Sequence, residues 1–162
     1  MPNRLPTPGL LDAPKKTILL ADDDALIRTM VGRLLDAEDY NVLFAKNGRE
    51  AARQFKVDPP DLVLLDLNMP EEDGWEAFEE MCEVNPMLPV IIITASPFEY
   101  ERAVQLGADA FMEKPLNLAL LLKTIRELLA ESPSACMARL TNPNFKTVLL
   151  NSSALADAKH RS

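Results

Sequence analysis

Histidine and cysteine are nearly missing from this chain of 162 residues: His160 is the single histidine, and Cys82 and Cys136 are the two cysteines. Two thiols so far apart in sequence make neither a disulfide framework nor a metal site, and both read as free thiols of a reducing cytoplasm. A lone histidine near the C-terminus reads as a solvated residue, not a ligand or a catalytic base. Basic residues are also short, with 17 Lys and Arg against 25 Asp and Glu and a net charge of −8. That sign argues against direct DNA binding, which needs a basic footprint to displace counterions from phosphates. It suits divalent cations and protein partners. Long hydrophobic runs are absent too: stretches such as Leu118 to Leu122 and Val90 to Ile93 are far below the length that crosses a membrane. The opening MPNRLPTPGLLDAPKK lacks the continuous apolar core of a signal peptide. The expected location is therefore cytoplasmic.

What is present is an alternating pattern. Residues 1–15 hold Pro2, Pro6, Pro8 and Pro14 with no apolar period and read as a flexible leader. Ile18 to Ala21 then reads as a buried strand. Ile27, Met30, Val31, Leu34 and Leu35 follow at helical spacing. Tyr40 to Ala45 is a second strand, with a turn at Asn47-Gly48 and a short helix that stops before Pro59-Pro60. Leu62 to Leu65 is a third strand ending on Asp66, and the helix after it places Trp75 and Phe78 in the core. The run PVIIIT is a fourth strand, buried on both faces. A short helical stretch from Phe98 to Leu106 closes on Gly107, Ala110 to Met112 is a fifth strand, and Asn117 caps a last helix to about Ala130. Strands alternating with helices imply an α/β fold with a doubly wound, five-stranded parallel sheet. The main domain spans residues 16–131. From Ser132 to Ser162 no period is sustained, and this segment reads as a tail, mostly disordered or weakly docked.

The polar residues fall at the strand ends, where open α/β sheets bind their ligands. Asp22, Asp23 and Asp24 follow the first strand, Asp66 ends the third, Thr94 the fourth, and Lys114 follows the fifth. Two ionised carboxylates about 5 Å apart repel by roughly 3 kcal/mol at an effective dielectric near 20. Such a cluster needs a cation, a shifted proton or full exposure to water. Oxygen-rich side chains with few nitrogens suit a hard cation, Mg²⁺ above all. An ammonium and a hydroxyl add nothing to a metal site alone, but a phosphoryl group needs both. The set describes a carboxylate that accepts a phosphoryl group, with Mg²⁺ and Lys114 holding its oxygens.

Four stretches, ILLADDD, LVLLDLNMPEEDGWE, VIIITAS and AFMEKPL, come in this order, each at the end of a predicted strand. In this the chain resembles the receiver domain of two-component response regulators over about residues 16–131. The resemblance implies a flavodoxin-like sheet of order 2-1-3-4-5. It implies Asp66 as the phosphoacceptor, Asp23 as a direct Mg²⁺ ligand, Asp22 as an acid holding the ion through water, and the backbone carbonyl of Asn68 as a further ligand. Thr94 would bind the phosphoryl oxygen and move with it, Lys114 would form the ion pair, and Phe111 would be the aromatic switch. The Lys114–Pro115 bond is often cis in this family. Asp24 lies outside the metal set and reads as a helix cap. The implied partners are a sensor histidine kinase or histidine phosphotransfer protein as donor and a downstream protein target, with a homodimer through the last two helices as a possible use of their apolar surplus.

The favoured reading is a stand-alone receiver with no effector domain, a switch that resets by hydrolysing its own acyl phosphate and is not otherwise an enzyme. Two alternatives stay open at this point. One is a pseudo-receiver used only as an interaction scaffold. The other is a Mg²⁺-dependent phosphatase with its aspartyl nucleophile at Asp22, which the D-x-D spacing of Asp22 and Asp24 allows. One departure from the family is a short stretch of twelve residues between Thr94 and Gly107, with Pro97 near its start. It bears on whether the usual output face is built.

Overall fold

A computed structural model describes residues 14–69 and 74–150. The first strand, β1 (Thr17–Ala21), leads into α1 (Ala25–Ala37), β2 (Asn41–Ala45) and α2 (Gly48–Val57). Then come β3 (Leu62–Asp66), α3 (Gly74–Val84), β4 (Val90–Thr94), a 3₁₀ turn over Pro97–Glu99 and α4 (Tyr100–Leu106). The described chain finishes with β5 (Ala110–Glu113), α5 (Leu118–Ala130), α6 (Pro133–Leu140) and β6 (Val148–Leu150). Every strand pairing is parallel, in the order β2-β1-β3-β4-β5-β6.

Alternation along each strand divides the core into two layers. Leu19, Val63, Leu65, Ile92 and Phe111 pack with Ala51, Phe55, Trp75, Phe78 and Ala103, so α2, α3 and α4 cover one face. Ile18, Leu20, Leu64, Ile91 and Met112 pack with Val31, Leu35, Leu121 and Ile125, so α1 and α5 cover the other. Both β3 and β4 are buried throughout, as a parallel strand between two helix layers must be. The caps follow side-chain chemistry: Asp24, Asn47 and Asn117 accept from the backbone N–H of Leu26, Glu50 and Leu120. Gly107 ends α4 at φ 81°, a left-handed position that only glycine enters without strain.

The five-stranded expectation is corrected: among the described residues the sheet has six strands. Val148–Leu150 carries too few residues to show a period, and a neighbouring edge makes it a strand. Val148 donates to the carbonyl of Asp109 at 3.1 Å, and the Thr147 hydroxyl donates to that of Ala108 at 2.7 Å. The segment after Ser132 also begins with a helix, started by Ser132 as cap and Pro133 in its first turn. Arg139 of α6 anchors this extension to Asp109 at 2.8 Å and to Glu131 at 2.9 Å. Most of the leader (residues 1–13) and His160 lie outside the described residues. Among the described residues no helix is long and apolar enough to cross a membrane.

Candidate functional site

All strands run the same way, so the C-terminal ends of β1, β3, β4 and β5 share one rim. Asp22, the residue after β1, is buried, and its N–H donates to the carbonyl of Ala45 at 3.0 Å. Its Oδ1 accepts from the Asp24 N–H at 2.9 Å, and Arg28 of α1 donates to its backbone carbonyl at 2.7 Å. The acidic turn is thus tied down from both sides. Asp23 stays exposed above it. Asp66, the last residue of β3, is 2 % exposed; its Oδ1 accepts from the Asn68 N–H at 3.0 Å.

Lys114 reaches both buried acids, with Nζ 2.9 Å from Asp22 Oδ2 and 3.4 Å from Asp66 Oδ2. Burial alone would pull its ammonium down, but Asp22 and Asp66 outweigh that and hold it above its usual range. Asp66 is pushed up to about 6, first by burial and then by the charge of Asp22, against the Asn68 N–H and Lys114, which pull it back.

One carboxylate oxygen from each of Asp22, Asp23 and Asp66 lies within 4.8 Å of the others. This all-oxygen set fits a hard divalent cation. Asp22 Oδ2 fits it further: it is buried, and the nearby ammonium leaves it without an aligned hydrogen bond. Asp24 is not in the set, because its side chain caps α1.

Thr94, fully buried at the end of β4, accepts from Asn68 Nδ2 at 2.8 Å and from the Ser96 N–H at 3.1 Å. A hydroxyl that accepts two bonds keeps one proton to donate. Lys114 is held against this strand by its own N–H, which donates to the Thr94 carbonyl at 2.8 Å, and its bond to Pro115 is cis. Phe111 is the outlying member of the predicted set. It lies in the core, with its ring edge-on to Tyr100 at 5.5 Å.

Asn68 enters the sequence reading as a metal ligand through its backbone carbonyl; in the structure its N–H donates to Asp66 and its side-chain amide donates to Thr94. Two participants escaped the sequence reading. Arg28 is one of them, through its bond to the Asp22 carbonyl. Gly74, which opens α3, is another: a Cβ there would stand 2.8 Å from the Asp66 carbonyl oxygen and 3.0 Å from Leu67 Cα. A glycine shortly after a strand-end acid in sequence is the one signal available for it.

Comparison with known proteins gives the site its context. The response regulator receiver domain family matches residues 18–126. The chain belongs to that family. Among curated relatives of this receiver domain, the alkaline phosphatase synthesis transcriptional regulatory protein PhoP of Bacillus subtilis is 34 % identical over 104 residues, 63 % of this chain and 43 % of PhoP. The response regulator MprA of Mycolicibacterium vanbaalenii is 39 % identical over 114 residues, 69 % of this chain and 49 % of MprA. The chain thus spans about half the length of these relatives or less. A CheY-like receiver from Methanospirillum hungatei superposes with a TM-score of 0.68 at 31 % identity, covering 72 % of this chain and 94 % of the other. The response regulator TrrA of Thermotoga maritima, in complex with Mg²⁺-BeF, gives 0.65 at 31 % identity over 70 % of this chain and 98 % of TrrA. Receiver domains are phosphorylation-dependent signalling switches rather than classical enzymes; they bind Mg²⁺ at an acidic cluster and interact with histidine kinases and downstream effectors.

Proposed function

We propose that this receiver domain accepts a phosphoryl group on Asp66 from a phosphohistidine of a sensor kinase or phosphotransfer protein. The observation that carries the reading is Lys114 bridging two buried carboxylates beside an all-oxygen cluster and a buried hydroxyl. Mg²⁺ held by Asp22, Asp23, Asp66 and the backbone carbonyl of Asn68 would supply the positive charge that lets an anionic carboxylate meet an anionic phosphoryl group. TrrA, crystallised with Mg²⁺-BeF, supports the same pairing of cation and ligand here.

In the transfer, a carboxylate oxygen of Asp66 bonds to phosphorus as the P–N bond to the donor imidazole breaks, its electron pair staying on nitrogen. The Lys114 ammonium shifts toward one phosphoryl oxygen, and the Thr94 hydroxyl donates its remaining proton to another. Asn68 holds the other Asp66 oxygen through its N–H, so a defined oxygen attacks. Attack of water on the same phosphorus later releases phosphate and restores the carboxylate, the self-catalysed reset. Phe111 serves as the aromatic that answers a displacement of Thr94. The altered surface then changes which downstream protein binds. The net charge of −8 supports a chain that acts through proteins in the cytoplasm and does not itself touch DNA. The apolar surplus of α5 speaks less for a homodimer than its sequence suggested, because Leu118, Leu120, Leu128 and Leu129 are partly buried against the core.

Asp24 is spent on capping α1, which leaves the aspartyl-phosphatase alternative without its second acid. The test is intact-mass spectrometry after incubation with acetyl phosphate. A single phosphoryl adduct is expected, requiring Mg²⁺ and absent in Asp66→Asn. Failure of both acetyl phosphate and a phosphohistidine donor to label the wild type, with no binding of Mg²⁺ by calorimetry, would return the protein to the scaffold reading.

A further inference from the structure

The C-terminal extension lies on the edge of the sheet beside β5, the strand that leads into Lys114. Residues 147–150 bind the outer side of β5, with Ala110, Phe111 and Met112 facing Val148, Leu149 and Leu150. Between this strand and α5 runs a groove of about 270 Å³ lined in part by Leu120, Thr124, Leu128, Val148 and Leu150. The strand has three residues with Val148 half exposed, and it is held by the Val148 N–H on the Asp109 carbonyl and by Leu149 and Leu150 against the two core layers. Two side-chain bonds add to that grip. The Thr147 hydroxyl donates to the Ala108 carbonyl, and the Tyr100 hydroxyl donates to the Thr147 carbonyl at 2.8 Å.

Tyr100 is also the residue on which the site can act. Asp66 holds the Asn68 N–H, Asn68 Nδ2 holds the Thr94 hydroxyl, and that hydroxyl holds the Ser96 N–H. Ser96 opens the 3₁₀ turn over Pro97–Glu99, and Tyr100 follows it directly. On its far side this turn is pinned to α3 by Trp75, whose indole N–H donates to Glu99 at 3.1 Å. A change at Asp66 therefore reaches Tyr100 through a short rigid segment, and its ring is braced edge-on against Phe111.

We propose that residues 147–150 form a strap that closes a strand-binding edge on β5 and α5, and that its hold is set through Tyr100 by the state of Asp66. The inference rests on the proposal that Asp66 takes the phosphoryl group. In the unmodified protein the Tyr100–Thr147 bond already has the optimal length for an O–H···O contact. Displacing Tyr100 can only lengthen it, so phosphorylation loosens the strap. The edge thus bared is parallel and apolar, and fits an extended segment of a partner.

The test is amide hydrogen exchange with mass spectrometry on the full chain, with phosphorylation by acetyl phosphate and Mg²⁺ read by intact mass in the same sample. Amides of residues 147–150 are expected to exchange about fivefold faster in the phosphorylated protein, the worth of one neutral hydrogen bond, while β2 is unchanged. Unmodified Tyr100→Phe, which keeps the ring, is expected to show the same fast exchange and no further rise on phosphorylation. An adduct with unchanged exchange at 147–150 overturns the coupling, and Tyr100→Phe with a fully protected strap overturns the role of Tyr100. Absence of an adduct counts against the phosphoryl-acceptor reading, and the Tyr100→Phe arm, which needs no donor, still decides what holds the strap.

Discussion

Replacing Asp66 by asparagine is expected to stabilise the metal-free protein. Asp66 is almost fully buried beside Asp22, and its pKa is pushed from 3.8 up to about 6. A carboxyl that binds its proton more tightly when folded contributes most below its unfolded value. Below pH 3.8 it is neutral in both states and costs nothing; as pH rises toward 6 the unfolded chain ionises first and stability is lost. Above pH 6 the loss is complete and amounts to about 3 kcal/mol. Relaxation of Lys114 toward Asp22 and entry of water reduce the gain available to Asp66→Asn to about 2 kcal/mol. Asparagine keeps an oxygen for the Asn68 N–H, while its Nδ2 replaces the oxygen that faces Lys114, a donor-to-donor cost that belongs to the same discount. Urea unfolding with a chelator present reads this directly. With a slope between about 1 and 3 kcal/mol per molar, the midpoint at pH 7.5 should rise by about 1 M, and the gap should close at pH 4. Saturating Mg²⁺ should narrow it at pH 7.5, since a ligand at a hundred times its dissociation constant adds about 2.7 kcal/mol to the protein that binds it. A variant no more stable than wild type in chelator, or a gap independent of pH, would refute the claim that desolvation and Asp22 dominate at Asp66.

Lys114→Met should tighten Mg²⁺ binding by about tenfold in calorimetry, because the ammonium now competes with the cation for Asp22 and Asp66; unchanged or weaker binding would mean that the lysine does not oppose the metal. Gly74→Ala should destabilise by about 1–3 kcal/mol and slow labelling by acetyl phosphate, since its Cβ would meet backbone at Asp66 and Leu67. Gly32→Ala should be near neutral in urea unfolding: its Cβ would displace the Phe44 ring, which is 44 % exposed and free to swing, and alanine regains about 1 kcal/mol of helix propensity. Arg139→Met should lower stability by about 2 kcal/mol, because it strands the buried carboxylate of Asp109, with a discount for the partial exposure of the guanidinium.

The parts of this protein that were legible in its sequence are those whose chemistry is local. Buried parallel strands are continuous apolar runs, so Leu62–Leu65 and Val90–Ile93 announced themselves, and each ended within a residue of where the apolar run stopped. The caps at Asp24 and Asn117 could be placed because a short polar side chain before an apolar period has few other uses, whereas Asn47, which reads as a turn residue before Gly48, caps its helix as well. Asp22, Asp23 and Asp66 could be grouped because like charges at strand ends are costly unless something holds them together. Asn68 was harder. An amide side chain is compatible with almost any loop, and its bond to Thr94 exists only because β3 and β4 are neighbours.

The C-terminal extension was illegible for a related reason. Ser132-Pro133 is a helix start, a cap followed by the residue suited to the first turn. But the helix after it is one of eight residues with a single buried side chain, Cys136, so no apolar period supports the signal. Val148–Leu150 becomes a strand only because β5 would otherwise present an unpaired edge. Segments whose structure is borrowed from a neighbour are also those a neighbour can release. The strands around Asp66 are buried on both faces and must stay rigid for the acids to stay close. An element that changes place at small cost must instead be short, at the sheet edge and held by a few nameable bonds, and residues 147–150 meet each of those conditions.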